Sequence, residues 1–107
     1  MAEYVMAWTS DGSGAVSGHS IAVQGGALRS LKVVPGTGDL QPTNAYSVQL
    51  LDQDGVDLLS GMGVARSNVT PELLIFDPPI PWVGRRLQPV IAGAGAANAG
   101  RLTLIVD

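Results

Sequence analysis

The feature that most restricts the fold is the punctuation of the chain. Short apolar runs alternate with clusters of Gly, Pro, Asn and Asp, and 14 glycines and 7 prolines are spread over 107 residues. That pattern reads as β rather than α. In "EYVMAWT", Tyr4, Met6 and Trp8 fall on one face of a strand, Glu3 and Thr9 on the other. "AYSVQLL" sets Tyr46, Val48 and Leu50 against Ser47 and Gln49, and "RLTLIVD" sets Leu102, Leu104 and Val106 against Arg101 and Thr103. This period of two is the signature of a half-buried strand.

Further strands are expected in "AVSGHSIAVQ", which Gly18 interrupts, and in "ALRSLKVVP", which ends at Pro35. Others are "VDLLSGMG", "RRLQPVIAG" and the nearly all-apolar "ELLIF". "VTPELLIF" alone offers a competing helical turn, with Pro71 at its first position, and strand is preferred there. "DPPIPWVG", with Pro78, Pro79 and Pro81, must be extended and irregular. No internal repeat stands out. The expectation is a single all-β domain over residues 1–107. It would be a compact antiparallel β-sandwich or barrel, jelly-roll-like, of about eight short strands.

Charge narrows the function. Charged residues make up 14% of the chain, against roughly 25% in an average soluble protein. The surface is therefore neutral and prone to association. The net charge is −3, and Arg29, Lys32, Arg66, Arg85, Arg86 and Arg101 are scattered. A nucleic-acid partner needs a concentrated basic patch, so none is expected. No cysteine occurs, which excludes disulfides and thiolate metal sites. "MAEYVMAWTSDG" lacks a basic, apolar leader, and no apolar run approaches the roughly 20 residues of a membrane span. Synthesis in a cytoplasm and no membrane partner are expected.

The stretch "LLDQDGVDLLSGMG" concentrates aspartates in the manner of an ion-binding loop. An EF-hand needs carboxylates at its first, third and fifth positions, Gly at the sixth and Glu at the twelfth. Starting at Asp52 puts Gly55 at the fourth position with no matching Glu, and the register fails. Asp54-Gly55 instead reads as a hairpin turn, with two residues or with three and Gly55 left-handed; weak cation binding is the alternative. Catalysis has little support. His19 is the only histidine, no P-loop is present, and nothing selects a pair of carboxylates. Asn68-Val69-Thr70 matches a glycosylation acceptor but is followed by Pro71. No enzymatic activity, cofactor or metal is expected. Trp8, in phase with Tyr4 and Met6, is expected in the core. Trp82, amid prolines and close to Arg85 and Arg86, suits an inter-subunit contact, where Trp and Arg are enriched. Tyr4 joins these three as a candidate interface residue.

Several segments resemble a group of small proteins encoded among the structural genes of tailed bacteriophages. "AEYVMAWTSDGSG" is similar to that group's opening strand and its Asp/Ser/Gly turn. "PTNAYSVQLLDQDGVDLLSGMGVARSN" resembles a P-T-x-x-Y-x-V-x-L-x-D-x-D-G-V-D-L-L pattern, and "LQPVIAGAGAANAGRLTLIVD" a strand, a small-residue turn and a terminal strand. "PELLIFDPPIPWVG" departs from the pattern, being more apolar and richer in proline. The resemblance implies a non-enzymatic virion protein. A decoration (cement) protein on the capsid exterior, forming a homo-oligomer with a trimer favoured and binding the major capsid protein, is the leading expectation. Another virion position at the neck or tail is the second, and a carbohydrate-binding sandwich for host attachment using Trp82 is the third. In that setting "DQDGVDLL" is a rigid hairpin.

Overall fold

The computed structural model of the chain describes residues 2–23, 26–82 and 86–107. Among the described residues seven strands form: β1 (Ala2–Thr9), β2 (Ile21–Ala22), β3 (Gly26–Pro35), β4 (Ser47–Leu51), β5 (Glu72–Trp82), β6 (Arg86–Ala92) and β7 (Ala99–Val106). A 3₁₀ turn, Gly38–Leu40, breaks the long connection after β3. The strands make a four-stranded sheet in the order β1-β7-β3-β5 and a three-stranded sheet in the order β2-β6-β4. Every pairing is antiparallel.

The predicted strand "VDLLSGMG" does not form. Residues 57–66 run beside β4 and meet it at separate points rather than along a ladder: the bridges Leu51–Asp57 and Tyr46–Arg66, the bond from Val48 N–H to Gly63 O at 2.9 Å, and the bond from Leu50 N–H to Asp57 Oδ1 at 3.2 Å. Turns anchored by Asp57 take the place of extended backbone. If this segment counts as a reduced eighth strand, the winding is that of a jelly roll: first, last, third and sixth in one sheet, second, seventh, fourth and fifth in the other. "AVSGHSIAVQ" also shrinks, to the two residues of β2 and a bridge from Val16 to Ile91.

One contiguous core lies between the sheets, and the period-2 pattern places it. Trp8, Leu102, Leu104, Val106, Leu31 and Val33 point inward from the larger sheet, and Val48, Leu50, Leu87 and Ile91 from the smaller. Burying side chains of this kind contributes about 1.5–3 kcal/mol each before chain entropy is set against it. Trp8 pairs across the sheet with Gly100, where an added Cβ would sit 2.5 Å from the indole. The glycine leaves the space that the ring fills. Tyr46 meets Trp8 with ring centroids 5.7 Å apart and planes tilted by 53°.

β3 and β5 change register between Leu28 and Ser30: Leu28 faces Ile80, while Ser30 faces Ile75. Phe76, Asp77, Pro78 and Pro79 bulge opposite Arg29, and Phe76 turns into the core. Prolines, which cannot donate to a ladder, are tolerated here because β5 is an edge strand and the ladder is interrupted. Pairing resumes beyond them, so the stretch expected to be irregular completes a strand that ends at Trp82 opposite Gly26.

The small-residue stretch after β6 packs into a junction of three loops. Thr43 N–H donates to Ala94 O at 2.9 Å, Ala94 N–H to Gly14 O at 3.0 Å, and the Asn98 side-chain amide to Ala94 O at 2.7 Å. Ser10 Oγ donates to Gly95 O at 2.5 Å and accepts from Asn98 N–H at 2.9 Å. A Cβ on Gly95 would fall 2.6 Å from Thr43 Oγ1. Small residues are required where three backbones approach this closely.

Candidate interaction surface

The aspartate-rich stretch is a turn. Gly55 N–H donates to Asp52 O at 3.1 Å, Asp52 N–H to Val56 O at 3.0 Å, and Gly55 has φ of +80°. That is the three-residue form, with Gly55 left-handed. The carboxylate that organises it belongs to Asp52 rather than Asp54: Asp52 Oδ1 accepts the N–H groups of Asp54 at 2.9 Å and Val56 at 3.0 Å.

The same device occurs twice more. Asp11 Oδ1 accepts from Ser13 N–H at 2.9 Å and Ala15 N–H at 3.0 Å, with Gly14 at φ +81°. The Ala15 amide, followed by the Ser13 hydroxyl and amide, holds the Asp11 carboxyl below its ordinary value of 3.8. Asp57 Oδ1 accepts from Leu59 N–H at 3.1 Å and Oδ2 from Gly61 N–H at 3.1 Å, with Ser60 in the left-handed position at φ +50°. The backbone thus occupies these carboxylates. Among the described residues, no group of three His, Asp or Glu is placed to hold a metal ion.

Two of the candidate interface residues, Tyr4 and Trp82, stand at opposite edges of the four-stranded sheet. Tyr4 lies on β1, opposite Leu104, and packs half-buried against the core. Trp82 ends β5, at the other edge of the same sheet and three strands away, a span of about 14 Å at the usual strand spacing. Arg86 opens β6 in the second sheet, exposed, with its guanidinium donating to Ser20 Oγ at 3.2 Å. Arg85 falls outside the described residues. His19 is exposed in the loop before β2.

What sequence reading missed is the outward face of the four-stranded sheet. Two rows cross it from β1 to β5: Glu3–Ile105–Ser30–Ile75 and Val5–Thr103–Lys32–Leu73. A third runs Ala7–Arg101–Val34. Val5 is 60% exposed, Leu73 54% and Ile75 72%. A solvated sheet face ordinarily alternates to polar residues. Here large apolar side chains stand at both edges, and the charges in these rows are Glu3, Lys32 and Arg101. The signal was present in "ELLIF": a strand apolar at consecutive positions has two apolar faces, and a sandwich covers only one.

No known protein family, curated protein or solved structure matches the chain.

Proposed function

We propose that this chain is a non-enzymatic structural protein of a tailed-phage virion, a decoration protein that docks on the capsid exterior and ties neighbouring major capsid subunits together. The outward sheet face carries this reading. It presents Val5, Leu73 and Ile75 to solvent at both margins of the sheet, with Glu3, Lys32 and Arg101 in the same rows. Apolar area removed from water stabilises a contact by about 25 cal/mol per Å², and Glu3, Lys32 and Arg101 need partners of opposite charge on the docked surface to offset their desolvation. Packaged DNA pushes capsid subunits apart, and a plate bridging a seam opposes that force. Repetition over the shell adds avidity, so each copy needs only modest affinity.

The resemblance of the sequence to small phage structural proteins points the same way. Jelly rolls serve in viral capsids and in lectins alike, so fold by itself does not choose between docking on protein and docking on sugar. The sheet face favours protein, because sugar recognition needs convergent polar groups beside an aromatic platform.

Locating the chain in purified particles by cryo-electron microscopy tests the proposal. Density over the seams between capsid subunits is expected. A single ring at the neck or tail would move the protein to an accessory position, and absence from the particle would remove the virion reading.

A further inference from the structure

Among the described residues the sandwich has four edge strands, and they are not alike. β2 is two residues long, and β4 is flanked by residues 57–66. β5 is broken by its register shift and carries Pro78, Pro79 and Pro81. These are the usual protections against edge-to-edge pairing. β1 has none of them. Its eight residues pair with β7 in one unbroken register from Ala2–Val106 to Thr9–Ala99, without proline or bulge.

The direction of its backbone groups follows from its end. Ser10 N–H donates to Asn98 O at 2.7 Å, so even-numbered residues point their amides at β7. On the other side of the sheet Asp107 N–H donates to Ala27 O at 2.9 Å, which gives the matching alternation in β7. The N–H and C=O groups of Glu3, Val5 and Ala7 therefore face away from the molecule.

We infer that β1 is the contact by which two copies of this chain associate, antiparallel about a two-fold axis at Val5, joining their four-stranded sheets into one of eight strands. Outward-facing residues must pair with outward-facing residues of like face, which requires odd with odd. Centring on Val5 satisfies this: Glu3 pairs with Ala7 of the second copy, Val5 with Val5, and Ala7 with Glu3. The register is also electrostatically complementary. Ala7 is flanked on its own sheet by Arg101. Glu3 of the second copy lies on the far side of the same small residue, so carboxylate and guanidinium reach over the alanine from both sides. The contact occurs twice, and no like charges are opposed. The exposed Val5 pair closes over the axis.

The association concerns the free protein and does not depend on what the outward face docks onto. A dimer differs from the trimer that the sequence resemblance favours, which makes the test sharp. The chain has no cysteine, so Val5→Cys introduces a single thiol. In a hydrogen-bonded antiparallel pair the two Cα atoms lie about 5.5 Å apart, within disulfide range. Mild oxidation is expected to give a covalent dimer for Val5→Cys and none for Ile75→Cys, on the far edge of the same face. By sedimentation equilibrium, Glu3→Lys should weaken the wild-type dimer by roughly tenfold, and Glu3→Lys/Arg101→Glu should restore it. A wild-type chain that stays monomeric at about 100 µM, well above the affinity expected of a specific contact, would overturn the inference. So would a trimer, or a dimer indifferent to Glu3→Lys.

Discussion

Ser60 holds a backbone conformation that suits glycine. It occupies the left-handed position of the Asp57 turn at φ +50°, where the equivalent residues of the other two turns are Gly14 and Gly55. Relieving a strained side chain there outweighs the extra freedom glycine gives the unfolded chain. Ser60→Gly should therefore raise stability by about 0.5–1 kcal/mol in urea unfolding. Gly100→Ala should do the reverse: its Cβ would displace the Trp8 indole, and overpacking of this kind costs about 1–3 kcal/mol. Tyr46 sets a pH limit. Burial, with a smaller push from Glu72 against a pull from Arg66, raises its phenol from 10.0 to about 12. A group with a raised folded value stabilises fully below its unfolded value. Stability should thus fall as pH rises from about 10 towards 12, by up to a few kcal/mol. The Tyr46 hydroxyl is buried without a hydrogen-bond partner among the described residues. Tyr46→Phe should leave stability at pH 7 unchanged or about 1 kcal/mol higher and flatten the alkaline loss, both visible in urea titrations at pH 7 and pH 11.

Among the elements, the three aspartate-led turns separate two residues that look equivalent on paper. Asp52→Ala removes two amide bonds and should cost about 1–2 kcal/mol. Asp54→Ala, at an exposed position, should stay within about 0.5 kcal/mol. Chemical denaturation of the pair distinguishes the two. "DGSGA" and "DQDGV" share the spacing of Asp and Gly that makes the turn, so the repeat was legible once the carboxylate, rather than the Asp-Gly dipeptide, was taken as the anchor. The strands of clean alternation, β1, β4 and β7, were legible because one face is buried and a period of two shows which residues share it. The strand expected over 56–63 was not, because Asp57 draws the local amides of Leu59 and Gly61, and that of Leu50 on β4, to its carboxylate, and turns win over a ladder. β5 was read as ending before its prolines, since sequence cannot show that an edge position tolerates them. Of the candidate interface residues, Trp82 ends a strand of one sheet and Arg86 opens a strand of the other, an assignment to sheets that neighbourhood in sequence does not reveal.

At the scale of the molecule, a jelly roll with three protected edges and one open one, and with exposed apolar side chains at both margins of its outward face, suits the docking role proposed above. Dimerisation through β1 would place two such faces in one plane and double the docking surface. Leu73 and Ile75 can be changed without disturbing the core, because both point to solvent. The most direct test is rebinding of the purified protein to phage heads stripped of it, followed by co-sedimentation. The wild-type chain should saturate the heads, and Leu73→Glu/Ile75→Gln should bind more weakly by roughly tenfold or more with its thermal unfolding unchanged. Equal binding by the double variant would contradict a docking role for the sheet face.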